Sequence, residues 1–121
     1  MNSAKPYNIS ERCYCFSKEV VLFIQGVSQE KMFRSLFEQL LRSATSVAAN
    51  VAEGRAGVSR KDWLNYLAIA LKSANETRYW LRLINDTISL NKDALASLSN
   101  EADELSKILA AILVKAKRNN E

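Results

Sequence analysis

Apolar residues recur at steps of three and four along four stretches of the chain, and no stretch shows the period-two alternation of a strand. The first stretch follows Ser10, a helix-capping residue type, and runs through Cys13, Phe16, Val20, Phe23 or Ile24 and Val27, predicting a helix over about 10–26. The second, with Phe33, Leu36 or Phe37, Leu40, Ala44, Val47 and Val51, predicts a helix over 30–54 that stops at Gly54, with Gly54 to Gly57 as the turn. Ser59 with Asp62 three residues later has the form of a capping box and opens a third helix over 60–88. Asn91 to Asp93 break the pattern. Leu95, Leu98, Ala102, Leu105, Leu109, Ile112 and Ala116 then form an unbroken heptad-like seam over 94–118. Residues 1–8, with Pro6, are expected to be a flexible arm, and residues 119–121 a frayed tail. Short connections make consecutive helices antiparallel neighbours, so the expected fold is all-α, an up-down-up-down four-helix bundle.

Composition narrows this picture. A chain of 121 residues supports one domain, and with three Gly and one Pro it has few breakers to interrupt long helices. There is no histidine, which removes Ser-His-Asp hydrolysis, Cys-His proteolysis and His-containing metal sites. Cys13 and Cys15 are too few for a zinc site, and two residues apart on a helix they point away from each other, so reduced thiols are expected. No catalytic residue, metal or cofactor is expected. Neither a secretory leader nor an apolar run long enough for a membrane span is evident, which points to a cytoplasmic protein.

The third helix carries two apolar stripes when residues are placed at 100° intervals. Leu64, Leu67, Leu71 and Ala74 form one; Tyr66, Ile69, Ser73, Trp80 and Ile84 form the other, nearly opposite. Two readings follow. Either the helix is broadly buried inside a single bundle, or Tyr66, Ile69, Trp80 and Ile84 meet another subunit. Ser73 and Glu76 lie on or beside this second stripe, and Asn50 and Glu53 share the non-core side of the second helix. With no nucleophile or metal ligand nearby, these four read as a structural hydrogen-bonded cluster, with Arg42 among the available donors.

The formal net charge is +4, and the segment 59–91 carries five cations against three anions. Lys72, Asn75, Tyr79 and Arg82 are spaced three, four and three, which puts cations and an aromatic ring on one helical face. Arg55, Arg60 and Lys61 cluster at the preceding turn. Such a set suits phosphates and a stacked base; a merely solvated charged face is the competing reading.

The segments Gln39 to Gly54, Ser59 to Trp63 and Ala70 to Leu81 resemble a bacterial family of four-helix bundles. That family includes products of reading frames inside 23S ribosomal RNA intervening sequences and the accessory variability determinant of diversity-generating retroelements. The resemblance spans about residues 10–118. It implies a bundle assembled as a ring of five subunits and, in the retroelement branch, a basic surface that binds nucleic acid and a reverse transcriptase. The family's recurring Asn and Glu fall on Asn50 and Glu53, and its Ser and Glu on Ser73 and Glu76. The expected function is a non-enzymatic homo-oligomer, pentameric by the resemblance, that binds RNA or DNA through Arg55, Arg60, Lys61, Lys72, Tyr79 and Arg82. The alternative is a protein–protein scaffold.

Overall fold

The computed structural model describes residues 8–27, 30–57 and 59–119, so all of the expected arm (1–8) but Asn8, and the last two residues, lie outside it. Four helices make up nearly all of the described chain: α1 (Ile9–Gln25), α2 (Arg34–Ala56), α3 (Arg60–Thr87) and α4 (Lys92–Asn119). A single 3₁₀ turn, Lys31–Phe33, leads into α2, and no strand occurs among the described residues. Each helix packs on its chain neighbours, α4 closes the bundle against α1, and among the described residues the diagonal pairs make no close backbone approach. Cross-helix hydrogen bonds set the direction. Ser43 meets Thr77 and Ser46 meets Ser73, so α2 and α3 run antiparallel; Arg78 meets Asp103 while Arg60 meets Ala116, so α3 and α4 do too.

The core is the set of apolar positions that the helical period selects. Phe16, Val20, Phe37, Leu40, Val47 and Val51 are buried from α1 and α2, and Leu95, Leu105 and Leu109 from α4. Each fully buried Leu side chain contributes about 1.5–3 kcal/mol by leaving water. Capping fixes where the helices start. The Asn8 side chain accepts from the backbone N–H of Ser10 and Glu11, Ser59 from that of Asp62, and Asn91 from those of Asp93 and Ala94.

Three expectations are corrected here. Asn8, rather than Ser10, caps α1; both residue types suit the role, and Asn8 is the one placed outside the first turn. Gly54 does not stop α2, which continues to Ala56. Instead Gly54 is buried against α3, and a Cβ there would lie 2.8 Å from Trp63 Cε3 and 2.9 Å from Tyr66 Cβ. The core face of α3 is neither stripe alone: it takes Leu67 and Ala74 from one, Ser73 and Ile84 from the other, and adds Ala70, Thr77 and Leu81. This face is broad because α3 packs against both α2 and α4.

Candidate functional site

The outer edge of the α2–α3 seam is a ladder of short polar side chains. Ser46 and Ser73 hydroxyls lie 2.9 Å apart, and the Asn50 amide donates to the Ser46 carbonyl at 2.8 Å and to its hydroxyl oxygen at 3.0 Å. One layer deeper, the Thr77 hydroxyl stands 2.9 Å from Ser43 Oγ and 2.8 Å from the Ser73 carbonyl oxygen, its single proton serving one acceptor at a time. Beyond Ser46 the ladder turns ionic: Arg42 donates to Gln39 and to Glu76, and the same Glu76 oxygen accepts from Trp80 Nε1 at 2.9 Å. The seam therefore brings Asn50, Ser73 and Glu76 together. Glu53 does not join them; it is exposed and has no hydrogen bond or ion pair among the described residues. No reactive nucleophile lies on the ladder, and its hydroxyls are occupied by neighbours.

The four interface candidates from the second α3 stripe separate in the same way. Tyr66 and Trp80 are half-buried and Ile69 is 39% exposed, so all three border the outer α2–α3 surface. Ile84 is 0% exposed within its own chain, which removes it from any surface a partner can reach.

The six basic and aromatic candidates fall into two groups, one around the α2–α3 turn and one from the middle of α3 onward. Arg60 and Arg82 are 22 positions apart, about 33 Å along the helix. At the first end, Arg55 donates to Asn8 Oδ1 at 2.9 Å and Arg60 donates to the Ala116 carbonyl at 3.3 Å. Arg60 thus satisfies a carbonyl in the last turns of α4, where the helix dipole favours a cation. Lys61 is exposed beside them. From mid-helix onward, Lys72, Tyr79 and Arg82 stand exposed on one face. The Tyr79 ring is 59% exposed and rests edge-on against Trp80, with centroids 4.9 Å apart. The Arg82 side chain is 86% exposed, and its ion pair with Asp86 is loose at 3.9 Å.

Sequence reasoning did not single out Arg78, which sits between these residues and donates to Asp103 at 2.7 Å. The spacing of Asn75, Arg78, Arg82 and Asn85 by three, four and three is the signal that places it there. Nor did it find the clamp on the far side of the bundle. Arg12 donates from Nε and Nη2 to the two oxygens of Glu101 at 2.8 and 2.9 Å, and from Nη2 to Glu104 at 3.0 Å. The hydrogen bond to Glu101 holds the Arg12 guanidinium more firmly protonated than usual. Next to it, burial and then the Glu101 charge push the Cys13 thiol up to about 12, so it is inert as a nucleophile at neutral pH. Among the described residues no group of three or more His, Cys, Asp or Glu is placed to hold a metal ion, and no helix is long and apolar enough to cross a membrane.

The architecture defines the class as an antiparallel four-helix bundle with a polar α2–α3 seam and an exposed basic and aromatic α3 face. The model of the 23S rRNA-intervening sequence protein family matches residues 5–111, and the chain belongs to that family. Among solved structures it is similar to a protein of unknown function from the S23 ribosomal protein family of Bacteroides thetaiotaomicron VPI-5482. Identity is 32% over 88% of this chain and 98% of that one, with a TM-score of 0.76. No curated protein matches.

Proposed function

We propose that this protein is a non-enzymatic, homo-oligomeric helical bundle that binds RNA or DNA through the exposed face of α3. One observation carries the reading: Lys72, Tyr79 and Arg82 share a face on which the Arg82 charge is nearly unengaged. Arg12, Arg42 and Arg78 are each tied to a carboxylate at hydrogen-bonding distance, whereas Arg82 and Asp86 are 3.9 Å apart in water, where such a pair is worth little. A free guanidinium beside an open aromatic ring suits phosphate together with a base. The family description, with its reference to 23S rRNA, is consistent with a nucleic-acid partner.

The assembly part of the reading rests on the other side of α3, where Tyr66, Ile69 and Trp80 leave apolar surface beside the α2–α3 ladder. A second copy covers that surface, and the resemblance implies five copies in a ring. Repetition of the α3 face around a ring would turn a net charge of +4 per chain into a multivalent surface. Fluorescence anisotropy with labelled RNA and DNA tests the binding. Lys72→Glu with Arg82→Glu abolishes it and leaves helix content intact, because both side chains are exposed. Light scattering tests the assembly, and Trp80→Glu lowers the mass because a charge buried at an interface is strongly unfavourable. Wild-type protein that binds neither nucleic acid at about 50 mM salt would point to a scaffold for another protein instead.

A further inference from the structure

Between α3 and α4, directly beside Tyr79, lies an open groove of about 490 Å³ lined by Asn75, Arg78, Tyr79, Arg82, Ser99 and Asp103. Its volume falls within the range of small-molecule sites. Its walls are chemically divided. Tyr79 supplies one exposed aromatic ring. Asn75 Oδ1 accepts from Arg78, which leaves its amide N–H groups to donate, and Asn85 at the groove's end is held the same way by Lys92. Arg78 occupies Asp103 Oδ1 through its Nε, and Asp103 Oδ2 has no partner among the described residues. The wall thus offers amide donors, a hydroxyl and one carboxylate acceptor, with the loosely paired Arg82 one helical turn from the ring.

We propose that this groove takes one unpaired base of a single-stranded nucleic acid, its ring stacked on Tyr79, its polar edge on Asn75 and Asp103, and an adjoining phosphate on Arg82. The proposal rests on the nucleic-acid reading above and narrows it. A duplex does not meet these requirements, since its bases are covered on both faces by stacking and their polar edges are paired. The carboxylate adds a second constraint. Asp103 repels a phosphate in the groove and welcomes a base N–H, so the phosphate belongs at the Arg82 rim and the base inside.

The test compares anisotropy for a labelled single strand of about twelve nucleotides with that for the duplex of the same sequence, a length chosen to span a typical single-strand site. The single strand binds at least about tenfold more tightly, Tyr79→Ala weakens it by about fivefold or more, and Tyr79→Phe, which keeps the ring, retains it. The exposed Tyr79 can be replaced without opening the core, and circular dichroism checks that the helices persist. Equal affinity for strand and duplex, or an unaffected Tyr79→Ala, overturns the groove proposal; if Lys72→Glu with Arg82→Glu still abolishes binding, the broader reading survives it. Failure of the wild type to bind either form overturns both.

Discussion

The α2–α3 and α1–α4 seams solve the same problem, joining two long helices, with opposite chemistry. Along α2–α3 the contacts are short and neutral: Ser43, Ser46, Asn50, Ser73 and Thr77 bond to one another and back to their own helices, and Gly54 and Ala74 let the backbones approach. Along α1–α4 the shared contact is smaller and is fastened by one ionic clamp, Arg12 on Glu101 and Glu104, with Glu101 only 8% exposed. Neutral hydroxyls that can fall back on a helical carbonyl lose little when a partner is removed. A buried charge whose partner disappears loses a great deal, because its desolvation is left uncompensated.

The largest expected effect comes from breaking the clamp on one side. Glu101→Ala leaves the partly buried Arg12 with Glu104, and urea denaturation should show a loss of about 2–3 kcal/mol. Replacing both partners, Arg12→Met with Glu101→Leu, should restore most of that stability, since an apolar pair of similar volume has no charge to desolvate. Next comes Gly54→Ala. The methyl improves helix propensity, yet it meets the Trp63 ring and the Tyr66 Cβ inside normal contact distance, so overpacking leaves a net loss of about 1–2 kcal/mol. Thr77→Val on the neutral ladder is smaller, about 1 kcal/mol, because Ser43 keeps its bond to the Leu40 carbonyl.

A further effect, nil at neutral pH, appears only at high pH. An unfolded Cys13 thiol ionises near 9, whereas the folded one stays protonated to about 12. Between these values the unfolded state binds fewer protons than the folded state, so stability is full below pH 9 and falls as pH rises through that window. Thermal melts of wild type and Cys13→Ala at pH 8 and 10.5 isolate the slope, which should be shallower in the variant. A thiol reagent at neutral pH should label the less buried Cys15 before Cys13.

The contrast between the seams also explains what the sequence reveals. Helix number and the α4 core were readable because Leu95, Leu98, Ala102, Leu105 and Leu109 repeat a period that no other element must interpret. The core face of α3 was harder. Leu67, Ala70, Ala74, Thr77, Leu81 and Ile84 step by three and four just as regularly, but Ala70 and Thr77 do not look like core residues until the ladder on α2 supplies their partners. Gly54 reads locally as a helix stop, and only contact with Trp63 and Tyr66 shows it to be a point of close approach. The clamp was out of reach because Arg12 and Glu101 lie 89 residues apart and nothing local links them. On the candidate face, spacing grouped Lys72, Tyr79 and Arg82, and the structure leaves all three exposed. It could not separate them from Arg55 and Arg60, whose engagement with Asn8 and Ala116 depends on where the bundle ends meet.

The α3 face as a nucleic-acid surface is tested most directly by the salt dependence of single-strand affinity. Measured by anisotropy across about 50–200 mM salt, the logarithm of the affinity should fall linearly with the logarithm of salt, by about 0.7 for each phosphate contacted, and the slope should shrink in Arg82→Gln. An affinity that does not change with salt, or a slope left intact by Arg82→Gln, would contradict the account.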